Sequence, residues 1–247
     1  MPRYRLTVEF DGTPFVGWQR QENGPSVQAA LEEAGAALSG APAPVVGAGR
    51  TDAGVHALAM SAHIDLAKAF PARTVRDALN AHLRPAPIAV LTAEEAEDDF
   101  HARFSCTGRR YLYRILDRRP PPALDRTRVW HVPVALDADA MAEAARAFIG
   151  RHDFTTFRSV HCQSDSPVKT MDAVEVERAG EEVHLRLAAR SFLHNQVRSI
   201  AGTLERVGAG RWRPEAVEDA LAARDRSACG PVAPSRGLYF VAATYQR

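Results

Sequence analysis

Hydrophobic and polar residues alternate near both ends of the chain, which is the pattern of half-buried strands. At the N-terminus, Tyr4, Leu6, Val8 and Phe10 share one face, so we predict a strand over 4–10. Closer to the C-terminus, Gly180 lies between two alternating runs and indicates a hairpin turn. The same reasoning predicts further strands over 57–66, 88–91, 110–116, 173–178, 182–190 and 237–245.

Helical periods and capping residues predict five helices between these strands. Ser26 is a good N-cap for a helix that runs to about Leu38, and Thr74 with Asp77 resembles a capping box for a helix ending near 83. Gly208 predicts the end of a long helix over 192–207, and the other two helices are predicted over 139–149 and from 214. Because strands and helices do not alternate strictly, we predict an α+β fold with a mainly antiparallel sheet.

The composition is that of a globular protein. The 247 residues are 46% hydrophobic and 25% charged, which excludes a disordered chain and is enough for two small domains. There is no run of about 18 apolar residues and no signal-peptide pattern, so we expect a soluble cytoplasmic protein without a membrane contact. The three cysteines form no C-x-x-C pair, which argues against both disulfides and structural zinc.

A glycine-rich segment over 46–56 carries the most unusual local sequence. A dinucleotide-binding loop would need a third glycine where Asp52 stands, and a phosphate-binding Walker loop would need Lys and Ser or Thr where Val55 and His56 stand. What remains is an aspartate between glycines, with Arg50 two residues before it. Asp52 is therefore either a turn residue or a catalytic carboxylate that a nearby cation keeps ionised.

The net charge of +1 conceals two basic tracts. Residues 103–128 carry +6 and residues 186–213 carry +5, so the remainder of the chain carries −10. Arginines interleaved with Tyr111 and Tyr113 are typical of RNA binding, because guanidinium groups grip phosphates and rings stack on unpaired bases. The alternative is a solvated basic face over core tyrosines. Arg198 lies on the predicted long helix, one turn before Gly202.

Five stretches of the chain together resemble the tRNA pseudouridine synthase A family, in that family's order. They are FDG with GWQRQ (10–12 and 17–21), GRTDAGVHA (49–57), DDFHARFSCTGRRYLY (98–113), FLHNQVRSIAG (192–202) and GLY (237–239). Two positions depart from the usual pattern, since Asn195 and Gln196 replace a histidine and a methionine. The segment 229–236 matches no motif.

The resemblance implies a function and roles for four residues. The family converts uridines 38, 39 and 40 of the tRNA anticodon stem-loop to pseudouridine. By position, Asp52 is similar to the essential nucleophile and Arg198 to the arginine paired with it. Tyr111 is similar to the tyrosine that stacks on the target uracil, with a possible role as base, and Arg50 to the arginine that helps flip the base or hold its phosphate.

The resemblance also implies an architecture. The family has two similar ferredoxin-like halves around a central, mainly antiparallel sheet with flanking helices, and an active-site cleft between the halves. We therefore expect an N-terminal domain over 1–105 that carries the Asp52 loop, and a C-terminal domain over 106–247 that carries Tyr111 and Arg198. The family acts as a homodimer on tRNA and uses no metal and no cofactor.

Two other classes of protein are consistent with the same sequence features. A non-catalytic RNA-binding or chaperone module would need the basic tracts but not Asp52, and a nucleotide-binding enzyme would use the glycine-rich loop. The residues leave open whether Asp52 attacks C1′ or C6 or assists elimination, and which group removes the C5 proton.

Overall fold

The computed structural model describes residues 1–246 of the chain. Ten strands and five α-helices lie within these residues, so the α+β fold and its mainly antiparallel pairing are confirmed. In chain order the elements are β1 (Arg3–Phe10), α1 (Val27–Ser39), β2 (Val45–Gly47), β3 (His56–Asp65), α2 (Ala72–His82), β4 (Ile88–Ala96), β5 (Cys106–Leu116), β6 (Trp130–His131), α3 (Ala138–Ala145), β7 (Gly150–Asp153), β8 (Val168–Ala179), β9 (Glu182–Ala189), α4 (Gln196–Gly208), α5 (Ala216–Ala223) and β10 (Leu238–Tyr245).

The chain forms two compact units, and the first contains Met1–Thr107 and the C-terminal strand from Tyr239. In this unit β1 lies between β3 and β4 and pairs with both in antiparallel fashion. β10 runs parallel to the start of β3, where Tyr239 is opposite His56, and β2 pairs with the far end of β3. Leu6 and Val8 of β1 are fully buried, as their alternation predicts.

The two predicted helices of the first unit have different outcomes. Ser26 caps α1 as predicted, because its hydroxyl accepts a hydrogen bond from the Ala29 amide at 3.2 Å. The predicted capping box of Thr74 and Asp77 is wrong. α2 begins two residues earlier at Ala72, after Pro71, whose φ of −54° already suits the start of a helix.

The second unit contains Gly108–Leu238. Its strands lie in the order β5, β9, β8, β7, with antiparallel neighbours, and β6 pairs in parallel with the end of β5. The predicted hairpin is confirmed, since β8 and β9 are joined at Gly180 with a φ of +64°. α3 packs against both β8 and α4, and this brings α4 into the core of the unit.

The long helix begins later than its periodicity predicts. α4 begins at Gln196, not at 192, because Asn195 has left-handed dihedral angles, φ 63° and ψ 5°, that a helix cannot continue through. The Gln196 side-chain oxygen accepts a hydrogen bond from the Leu193 amide at 2.8 Å, and this fixes the turn that enters the helix. The predicted end near Gly208 is confirmed.

None of the helices within residues 1–246 is both long enough and apolar enough to cross a membrane.

Candidate active site

Asp52 lies in the loop between β2 and β3 in the first unit. The loop leaves the sheet after the Ala48 amide donates to the Ser61 carbonyl at 2.8 Å, and it returns through a turn in which the Val55 amide donates to the Asp52 carbonyl at 3.2 Å. Gly54 has a φ of +74° in this turn, which glycine adopts without strain. Asp52 itself is half-buried, whereas Arg50, two residues earlier, is exposed.

Two glycines from the segment after β1 hold this loop by close backbone contact. A Cβ on Gly12 would lie 2.0 Å from the Val55 carbonyl oxygen, and a Cβ on Gly17 would lie 2.4 Å from the Thr51 carbonyl oxygen. The backbones of Gly17 and Asp52 form a short antiparallel bridge, and the Trp18 amide donates to Thr51 at 3.0 Å. These contacts give a physical reason for the FDG and GWQ stretches, which position the backbone of the aspartate loop.

His56 fixes the end of the same loop, a role that sequence reasoning missed. Its ring is 2% exposed and stacks on Tyr239, with the ring centroids 4.8 Å apart. The Gly12 amide donates to His56 Nδ1 at 3.0 Å, and the Asp11 carboxylate lies 3.1 Å from the same nitrogen. His56 therefore ties the start of β3 to the glycine turn that supports Asp52.

Tyr111 and Tyr113 lie on β5 in the second unit, and their environments separate their roles. Tyr113 is fully buried, its hydroxyl donates to the Pro234 carbonyl at 2.7 Å, and burial raises its pKa. Tyr111 is only partly buried, and its ring meets Phe192 edge to face at 4.9 Å. Of these two tyrosines, Tyr113 is a core residue, and Tyr111 is the one whose side chain stays partly exposed.

Arg198 is on the first turn of α4 in the second unit, where two oxygens hold its guanidinium. Nε donates to the Ala233 carbonyl at 2.7 Å, and Nη1 donates to the Asn195 side-chain oxygen at 2.9 Å. The Ala233 amide returns a hydrogen bond to the Arg198 carbonyl at 3.0 Å. Asn195, one of the two positions that depart from the usual family pattern, is therefore a direct hydrogen-bond partner of Arg198.

The segment 229–234, which we call the strap, lies tightly against α4. A Cβ on Gly202 would lie 1.7 Å from the Pro231 carbonyl oxygen, and a Cβ on Gly230 would lie 2.7 Å from the Thr203 Cα. The Gly230 amide donates to the Thr203 hydroxyl at 3.1 Å. The strap belongs to the segment 229–236 that matched no motif, and the structure shows that it supplies the main-chain acceptor for Arg198.

The basic tracts are partly neutralised by acidic residues outside them, two of them more than 60 residues away and one nine residues away across the β8–β9 hairpin. Although burial raises its pKa, hydrogen bonds from Arg114 and His184 bring the pKa of the Glu182 carboxyl below its ordinary value. Arg110, Arg119 and Arg126 are exposed. The charge summed over each tract in the sequence therefore overstates the net positive charge around these arginines. The ion pairs are Arg114–Glu182, Arg118–Glu181 and Arg186–Glu177.

The four residues singled out from the sequence thus fall into two pairs. Arg50 and Asp52 share one loop of the first unit, and Tyr111 and Arg198 lie in the second unit, on β5 and α4. Sequence reasoning missed Asn195 and Ala233 as partners of Arg198. The only signal in the sequence was the three-residue spacing between Asn195 and Arg198, which places both near one face.

Comparison with known proteins decides the family. A model of the tRNA pseudouridine synthase family matches residues 6–105 and 144–246. The tRNA pseudouridine synthase A of Maricaulis maris is 60% identical over 245 residues, which cover 99% of this chain and 98% of that protein. The chain belongs to the tRNA pseudouridine synthase family. The proteins of the same name from Rhodospirillum centenum and Caulobacter vibrioides are 60% and 59% identical, again over 99% of this chain.

Membership of the tRNA pseudouridine synthase family makes this chain an isomerase that modifies tRNA. Arg50, Asp52 and Arg198 lie within the two segments that match the family model, and Tyr111 lies between those segments. The matches to the individual synthases, by contrast, extend over 99% of the chain.

Proposed function

We propose that this protein converts uridines 38, 39 and 40 of the tRNA anticodon stem-loop to pseudouridine, with Asp52 as the essential carboxylate. The observation that supports this best is the Asp52 loop. It places a half-buried carboxylate on a backbone that Gly12 and Gly17 hold at contact distance, so its position is fixed before substrate arrives.

The reaction balances without any other reactant. The C1′–N1 bond of uridine breaks, the uracil turns, and a C1′–C5 bond forms, while C5 loses a proton and N1 gains one. Attack of Asp52 on C1′, attack on C6, and elimination to a glycal all require the carboxylate in its ionised form. Arg198 is proposed as the cation that keeps it ionised, as the resemblance implies.

Tyr111 and Arg50 are proposed to act on the substrate. A base in a stem-loop must leave its stack before it reacts, at a cost of a few kcal/mol. The partly exposed ring of Tyr111, held by Phe192, can stack on the uracil and offset that cost. The exposed guanidinium of Arg50 is suited to a phosphate of the flipped nucleotide.

The test uses unmodified tRNA transcripts and purified protein, with chemical mapping of pseudouridine. We expect product at 38, 39 and 40 with the wild type, and none with Asp52→Asn, which still binds tRNA in a filter assay. Product elsewhere in the tRNA would refute the proposed positions. Turnover by Asp52→Asn near the wild-type rate would refute the role of the carboxylate.

Two further parts of the proposal concern assembly and location. That the protein works as a homodimer comes from the resemblance, and that it works in the cytoplasm comes from the composition of the sequence. Sedimentation at micromolar concentration tests the first, where a species of one chain mass, 26.9 kDa, would contradict it.

A further inference from the structure

The two hydrogen-bond acceptors described for Arg198 have one property in common, which is that both are uncharged. One is the main-chain carbonyl of Ala233 and the other is the amide oxygen of Asn195. A carboxylate in either place would orient the guanidinium equally well but would also compensate its charge. These two neutral acceptors orient the Arg198 guanidinium without compensating its charge themselves.

The backbone conformation at position 195 limits which residue types can stand there. Its left-handed dihedral angles end the preceding turn and allow the Asn195 carbonyl to accept from the Ser199 amide at 2.8 Å, inside α4. Asparagine and aspartate adopt these angles more readily than most residues with a Cβ. Of these two, only asparagine presents a side-chain oxygen without a charge.

We propose that Asn195 is a positioning residue for Arg198, which orients the guanidinium through a neutral hydrogen bond so that its charge serves the reacting carboxylate. This inference rests on the role of Arg198 under the proposed function. Asn195 touches Arg198 through Nη1, while the strap engages Nε of the same guanidinium, so the two contacts together fix the plane of the group.

Asn195→Gly tests the side chain separately from the backbone. Glycine adopts left-handed angles without strain, so the substitution removes the amide oxygen and keeps the entry to α4. The matched control is Arg224→Gly, since Arg224 is the other non-glycine residue with a positive φ, 50°, among the residues that the structure describes. Arg224 follows α5 and makes no contact with Arg198 among the hydrogen bonds found.

The readouts are kcat and KM on tRNA transcripts. We expect Asn195→Gly to lower kcat roughly tenfold, with KM within about twofold, since a hydrogen bond to a charged group is lost. Arg224→Gly should match the wild type in both. The unfolding midpoint of Asn195→Gly should stay within a few degrees of wild type.

Each other outcome has a definite meaning. If Asn195→Gly keeps the wild-type kcat, or changes KM as much as it changes kcat, the inference is wrong. Arg198→Met distinguishes this from a failure of the proposed function. An impaired Arg198→Met with a normal Asn195→Gly refutes the positioning role alone, and a fully active Arg198→Met refutes the role of Arg198 itself.

Discussion

Gly202→Ala should damage catalysis by displacing the strap. Gly202 is inside α4, where alanine would ordinarily stabilise the helix by about 1 kcal/mol. At this position, however, the added Cβ would lie 1.7 Å from the Pro231 carbonyl oxygen, which is a main-chain atom and cannot rotate away. The strap must therefore move.

The size of the effect follows from the distances. Contacts below 3.0 Å are essentially never seen for a Cβ, so the strap must retreat by at least about 1.3 Å. If Ala233 moves with it, the hydrogen bond from Arg198 lengthens from 2.7 Å to about 4 Å, beyond hydrogen-bonding range. A lost hydrogen bond to a charged group is worth about 1.5–3 kcal/mol, or roughly ten- to hundredfold in kcat if the transition state needs it. Overpacking costs about 1–3 kcal/mol, and the helix propensity offsets part of that.

The assay is release of tritium from C5-labelled uridines in a tRNA transcript, because the reaction removes the C5 proton. Gly208→Ala is the matched control on the same helix, since its added Cβ meets the Met141 side chain, which is flexible. We expect Gly202→Ala to lose at least about tenfold in kcat while Gly208→Ala keeps it within about threefold. Equal rates for the two variants would refute the link between the strap and Arg198.

Three further expectations concern the loop, the core and the pH dependence. Gly17→Ala should lower kcat at least about tenfold, because its Cβ would meet the Thr51 carbonyl oxygen at 2.4 Å. Gly40→Ala is the control and should keep the wild-type kcat, since Gly40 also has a positive φ but has open space around it. Steady-state kinetics of both variants test this. Tyr113→Phe should cost about 1–2 kcal/mol in urea unfolding, because it removes the hydroxyl that donates to the partly buried Pro234 carbonyl, and kcat should change little. Burial lowers the pKa of His63 from 6.5 to about 4, so the unfolded chain binds a proton that the folded chain does not, and stability falls as the pH drops below 6.5. His63 should contribute about 2 kcal/mol to the loss of stability between pH 7 and pH 5, so the loss should be smaller by that amount in His63→Gln, and equal losses in both proteins would contradict this cause.

Local physics explains which parts of the fold could be predicted. The alternation over β1, the Ser26 cap and the glycine of the β8–β9 hairpin each act within a few residues, and each was predicted correctly. The start of α4 was predicted wrongly, because Asn195 has left-handed dihedral angles that the apolar periodicity of the helix does not reveal. The predicted start of α2 was also wrong, because the helix begins directly after Pro71 and before the apparent capping box.

For the site, the residue types in the sequence were sufficient to reject phosphate-binding loops at Asp52, whereas the resemblance singled out Arg50, Tyr111 and Arg198. Residue type did not distinguish the two tyrosines of β5; the resemblance pointed to Tyr111, and burial shows that Tyr113 is a core residue. The arginine tracts looked strongly basic, and carboxylates outside them reduce that charge, two from more than 60 residues away and one from across the β8–β9 hairpin.

The sequence by itself determined the fold class, the motifs and the residue types at the proposed site, since these depend on residue type and short-range spacing. Only the tertiary structure decided what holds the proposed catalytic groups in place. The contact of Gly202 with Pro231 joins positions 29 residues apart in the chain, and the hydrogen bond from Arg198 to Ala233 joins positions 35 residues apart. Close approach of backbones depends on how distant segments pack. A glycine in the sequence indicates that another group comes close to the main chain, but it does not indicate which group.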